Sequence, residues 1–166
     1  AYPNDPEVAY ARFRVAKGLY EERSESILMP PLEERDLAVL TDARQAILGF
    51  LQDFPDYRQT PELEYLLQVV TGTLARHEIY VSRYYLDRGE LHPAEARARW
   101  SLAHYPEADV APECLVLLGE VLLMEHKYAE ARSTFQLVLD THPDSPFTVP
   151  ARRFLDEMPQ VPETQV

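Results

Sequence analysis

The sequence predicts an all-α chain of stacked, antiparallel helix pairs, and three observations carry that prediction. Glycine occurs only five times in 166 residues, while runs of Leu, Ala, Glu and Arg dominate, a composition that favours helix over strand. An aromatic residue or histidine, then proline, then an acidic residue, interrupts the chain at Phe54-Pro55, Tyr105-Pro106 and His142-Pro143. Proline stops one helix and the acidic residue after it caps the next. From Pro112 onward, finally, small and large apolar residues recur at fixed offsets along two consecutive helical faces.

That last stretch is the clearest. Leu115, Leu118, Gly119 and Leu122 share one face, "HKY" turns the chain, and Ala131, Phe135 and Val138 form the next face, which ends at Pro143. The small residues let two helices approach closely and the large ones fill the seam. These offsets are those of the tetratricopeptide repeat, a helix–turn–helix of about 34 residues. The expected architecture is therefore a tetratricopeptide-repeat (TPR) right-handed superhelix of antiparallel helix pairs.

The other elements follow in order. "DPEVAYARFRVAKGLY" reads as a first helix, and "LTDARQAILGFLQDF" as its partner, with Ala43, Ile47 and Phe50 on the repeat positions before Pro55. Between them, residues 21–36 form an inserted loop whose Pro30-Pro31 and charges suit a surface. Thr60 and Pro61 open one long helix, about 61–87, on which Leu63, Leu66, Leu67, Val70, Leu74, Ile79, Tyr80 and Tyr84 keep helical spacing. Counting back from Pro106 starts a repeat at Ala75, with Ser82 and Ala94 at the small positions and Gly89 at the turn. Ala98 stands where a large apolar residue is usual, and Trp100 is expected to compensate. The whole reads as one TPR-like domain over 1–157, about three helix pairs plus a terminal capping helix, with a flexible tail at 158–166.

Charge and motifs exclude several functions. The formal charge of −12 lacks the basic footprint that nucleic acid requires. The longest apolar run, "CLVLLGEVLLM", is too short to span a bilayer. Cys114 is the one cysteine and reads as a core thiol. "HEIYV" lacks the second histidine of a zincin helix, and the other histidines do not fall at ligand spacing. Carboxylates such as Glu33 and Glu34 read as solvated charge, and no nucleophile elbow or phosphate-cradling glycine loop is present. No catalytic residue, metal site or cofactor is expected.

A concentration of arginine remains. Arg76, Arg83, Arg88, Arg97 and Arg99 fall within "LARHEIYVSRYYLDRGELHPAEARARW", among tyrosines and the tryptophan. The tyrosines are expected to pack the hairpins. Arginine beside aromatic residues is the composition of interface hot spots, so these five are the candidate partner-binding residues.

The run "FLQDFPDYRQTPEL…LARHEIYVSRYYLDRGE…HYPEADVAPECL" resembles the BamD (ComL) family, tetratricopeptide lipoproteins of the outer-membrane β-barrel assembly machinery. The resemblance covers nearly the whole chain and aligns it with the family's third to fifth repeats; the lipobox cysteine and first two repeats have no counterpart in it. It implies a non-catalytic scaffold on the periplasmic face of the outer membrane of a Gram-negative bacterium, held to the membrane only by a lipid anchor missing from this chain. It also implies docking on a POTRA domain of the barrel protein BamA, and contact with other assembly subunits, through basic residues near the turn after the long helix. Arg88 matches the family's Arg-Gly turn and Arg97 a further family arginine, with Arg99 as understudy. The alternative is a generic TPR adaptor, such as a periplasmic cell-envelope coordination protein, gripping an extended peptide in its concave groove.

Overall fold

The computed structural model describes residues 6–22 and 37–159. Among them the fold is all-α and TPR-like: α1 (Pro6–Glu21), α2 (Ala38–Asp53), α3 (Thr60–Asp87), α4 (Leu91–His104), α5 (Ala111–Met124), α6 (Tyr128–Thr141) and α7 (Thr148–Glu157), with no strand. The expected insertion falls largely on residues 23–36, and the expected tail largely on 160–166; both stretches lie outside the described residues. Packing gathers into two compact units, Ala1–His77 and Glu78–Val166, with the boundary inside α3.

One loop is used three times. Phe54, Tyr105 and His142 end α2, α4 and α6 with φ −135°, −134° and −133°, and each donates its N–H to the carbonyl four residues back. The following proline forces this departure from helical geometry, because its ring excludes the α conformation in the residue before it. The chain then takes two successive three-residue steps. Tyr57 N–H donates to Phe54 and Thr60 N–H to Tyr57, and the same pairs recur as Ala108–Tyr105, Ala111–Ala108, Ser145–His142 and Thr148–Ser145. The Thr60 hydroxyl also donates to the Phe54 carbonyl, tying the end of α2 to the start of α3.

The turns inside the pairs are also shared. Gly89 N–H donates to Leu86 and Glu90 N–H to Tyr85; at the next turn His126 donates to Leu123 and Lys127 to Leu122. Both are Schellman closures, which need a left-handed residue. Gly89 supplies it at φ 74°, and His126 adopts φ 61° despite its side chain, with Nδ1 hydrogen-bonded to the Tyr128 hydroxyl at 2.8 Å.

In the first unit Phe13 and Ala16 of α1 pack with Ile47 and Phe50 of α2 and with Leu63 and Leu66 of α3. Phe50 meets the edges of Phe13 at 6.3 Å and Tyr57 at 5.6 Å. In the second unit α5 is the central helix, apolar nearly all round and buried from Ala111 to Leu122 on most of its surface. Small residues set the closest approaches. A Cβ on Gly119 would meet the Phe135 ring at 2.5–2.9 Å, and the Ser82 hydroxyl donates to the Ala94 carbonyl at 2.8 Å.

A charged clasp closes the second unit. Glu95 of α4, nearly buried, accepts from Arg99 Nε at 2.7 Å and from Lys127 Nζ at 2.8 Å. Lys127 also lies 2.8 Å from Glu125, and Arg99 Nη2 donates to Glu130 of α6 at 2.7 Å. Burial pushes the Glu95 carboxyl up. The bonds from Lys127 and Arg99, with the Arg99 charge, outweigh that and hold it at about 2.

Two measurements check these devices. Gly119→Ala should lower stability by about 1–3 kcal/mol, because the Phe135 ring is fully buried and has nowhere to move; an unchanged denaturation midpoint would contradict the close approach. A folded pKa near 2, below the ordinary 4.5, means that ionised Glu95 stabilises the fold above about pH 4.5 and ceases to as the pH falls towards 2. Glu95→Gln should therefore cost on the order of 2 kcal/mol at neutral pH, with the difference from the unaltered protein closing between those two values. A difference independent of pH would assign the loss to packing instead.

Candidate functional site

Four of the five candidate arginines belong to the second unit; Arg76 is exposed on the part of α3 that belongs to the first. Arg83 of α3 donates from Nη2 to Glu113 of α5 at 3.0 Å. Arg88 directly follows α3, the longest helix among the described residues, with its guanidinium 4.9 Å over the Tyr84 ring and Nε 3.7 Å from Glu90. Arg97 of α4 donates from Nη1 to Glu78 of α3 at 3.2 Å. Arg99, two residues on, faces the other way and reaches Glu95 and Glu130. All four side chains remain about half exposed.

Helical periodicity explains how α4 divides. Ala94, Ala98 and Ser101 recur at three- and four-residue steps and turn inward. Ala96, Trp100 and Ala103 do the same on the outward side. Arg97 and Arg99 flank that outward strip, one drawn towards α3 and the other towards α6. The centre of the strip is Trp100, 50% exposed, with His104 stacked on it at 3.6 Å and donating from Nδ1 to the Trp100 carbonyl.

Several expectations need correcting here. Trp100 does not stand in for Ala98, because two positions along a helix is more than half a turn and points it away from the seam. Cys114 lies behind Ala98 instead, its thiol 3.4 Å from the Ala98 carbonyl. Tyr80 and Tyr84 are 40% and 47% exposed, so they do not pack the hairpins. Tyr85 is half-buried, its ring edge-on to Tyr84 at 5.6 Å. Nor are all carboxylates solvated: Glu78 and Glu95 are each only 8% exposed. Counting from Ala75 places Glu78 at the position that Leu115 fills in the next repeat, a signal of its inward orientation that the general reading of carboxylates as solvated passes over.

Arginine paired in this way keeps binding capacity. A guanidinium has five donors arranged in two flat edges. Arg97 spends one Nη1 hydrogen on Glu78, which leaves its Nε–Nη2 edge for a second carboxylate. Arg99 spends Nε and one Nη2 hydrogen, and its bond to Glu95 raises its pKa. Two carboxylates therefore already answer its charge.

Other chemistry is weaker. His92, Glu95 and Glu125 bring ligand atoms within 4.8 Å of one another, but the Lys127 ammonium stands 2.8 Å from both glutamates, where a metal ion would have to sit. Burial pushes the Cys114 thiol up to about 12, far from reactive thiolate character. Among the described residues, no helix is long and apolar enough to cross a membrane.

A family described as an outer membrane lipoprotein, YfiO, matches residues 1–124. Over 161 residues the chain is 25% identical to the outer membrane protein assembly factor BamD of Neisseria gonorrhoeae, covering 95% of this chain and 60% of that protein. Over 156 residues it is 24% identical to BamD of Caulobacter vibrioides, covering 94% of this chain and 49% of the relative. The chain thus spans half to three-fifths of the length of these curated relatives. With most of its residues matched, the chain belongs to the YfiO family of outer membrane lipoproteins.

Proposed function

We propose that this chain is a non-catalytic scaffold in outer-membrane β-barrel protein assembly, and that the outward face of α4 docks on a POTRA domain of BamA. Family membership supports the general role, since the relatives are named as assembly factors. The observation that carries the docking surface is the arrangement on α4: a half-exposed tryptophan between two half-exposed arginines, in a chain of net charge −12. Apolar aromatic centres with arginine around them are where interface energy concentrates.

Arg97 leads because it has an unspent guanidinium edge that can take a partner carboxylate bidentately. Arg88, stacked on Tyr84 at the adjoining turn, adds a further half-exposed cation. Arg83 and Arg99 support the rim electrostatically. Arg76, the remaining one of the five, belongs to the first unit. The periplasmic face of the outer membrane is the location that suits such a role.

The test is direct binding of this chain to a purified POTRA domain of BamA from the same bacterium. Arg97→Glu should weaken binding by about 2–4 kcal/mol, or roughly 30- to 1,000-fold, with helical circular dichroism unchanged. Trp100→Ala should lose about 2 kcal/mol or more by the same reasoning. Undiminished affinity in both variants refutes this surface, and binding of extended peptides in their place would favour the adaptor reading.

A further inference from the structure

A buried acid sits where the repeat calls for a hydrocarbon. Glu78 lies on α3 at the position that Leu115 occupies in the following repeat, and both are buried to a similar degree, at 8% and 6% exposed. A leucine there would contribute packing with no desolvation cost. A carboxylate loses several favourable contacts with water, and one bond from a guanidinium recovers that loss only in good geometry. Replacing buried ion pairs by well-packed apolar groups is often neutral or stabilising. Stability alone therefore gives no reason for a glutamate at this position. What leucine cannot do is hold a guanidinium.

We infer that Glu78 is a positioning residue for Arg97: it fixes the rotamer that turns the Nε–Nη2 edge of that arginine outward to meet a partner's carboxylate. The inference rests on the docking reading above and deepens it. Glu78 is anchored by burial on a rigid helix, and it accepts from Arg97 through Nη1 at 3.2 Å, across nineteen residues of sequence. Arg97 itself is 47% exposed, so without that anchor its long side chain would sample many rotamers. Freezing such a chain at the moment of binding weakens association by about three- to tenfold, and an anchor within the fold removes that cost beforehand. Arg97 is the arginine that benefits, because the single bond to Glu78 leaves a complete edge unspent.

Electrostatics alone predicts the opposite result, which makes the test decisive. Removing a negative charge beside Arg97 should tighten binding to an acidic partner if Glu78 merely competes for the guanidinium. The experiment measures POTRA-domain affinity for the unaltered chain, Glu78→Leu, Glu78→Gln and Arg97→Glu, alongside thermal unfolding. Positioning predicts that Glu78→Leu keeps or raises the melting temperature yet binds about three- to tenfold more weakly. Glu78→Gln, which retains an acceptor, should recover part of that loss. Nitrogen relaxation at Arg97 Nε should report an ordered side chain in the unaltered protein and a mobile one in Glu78→Leu.

If leucine prevents folding, the glutamine variant decides by sign, weaker binding supporting the inference and tighter binding overturning it. Unchanged or tighter binding by Glu78→Leu, with Arg97→Glu impaired, overturns the positioning role and leaves the docking surface standing. Unimpaired Arg97→Glu overturns both.

Discussion

Two helices of a pair can share a seam only where one of them surrenders a side chain, and this chain is organised around that constraint. At Gly119 the surrendered volume is filled by the Phe135 ring, which comes closer than any Cβ would permit. At Ser82 the hydroxyl is short enough to reach the Ala94 carbonyl directly. Once α5 and α6 lie this close, Leu122, Val138 and Ala131 are excluded from water without further adjustment. The shared pre-proline loop then delivers each new helix in the same way, because three chemically different residues before proline are forced into nearly one conformation.

Charge is laid over this apolar frame with a consistent logic. Each guanidinium of the two α4 arginines is bonded on one side to a buried carboxylate, and each side chain remains about half exposed. Glu95 holds Arg99 and Lys127 together and so links α4 to the α5–α6 turn. Glu78 holds Arg97 towards α3. Exposed ion pairs contribute little to stability, being screened and mobile. Pairs with one partner buried differ: breaking them strands a charge away from water, so the guanidinium stays in place. The α4 cations are thus each held against a carboxylate within the fold.

Much of the fold was legible along the chain because the signals are local. A proline acts on the residue before it, a glycine on its own backbone, and helical spacing on neighbours three and four apart. Hence the stops at Pro55, Pro106 and Pro143 and the small positions at Gly119 and Ala131 could be read directly. Side-chain destinations were less legible. Tyr80 and Tyr84 match an apolar ladder by spacing, yet an aromatic ring fits either face of a helix and only the neighbouring helix decides which. Trp100 has the size of a core residue, yet its phase relative to Ala94 and Ala98 points it outward.

What the sequence determined by itself was therefore the all-α repeat, its stops and turns, and the concentration of arginine in one stretch, since each follows from backbone sterics and period. Tertiary structure alone decided which carboxylate meets which arginine. Glu78 and Arg97, or Arg99 and Glu130, are far apart in sequence, and their pairing depends on how the fold brings α3, α4 and α6 together. That folded arrangement, set in part by small residues in the seams, separates a basic composition from defined ion pairs.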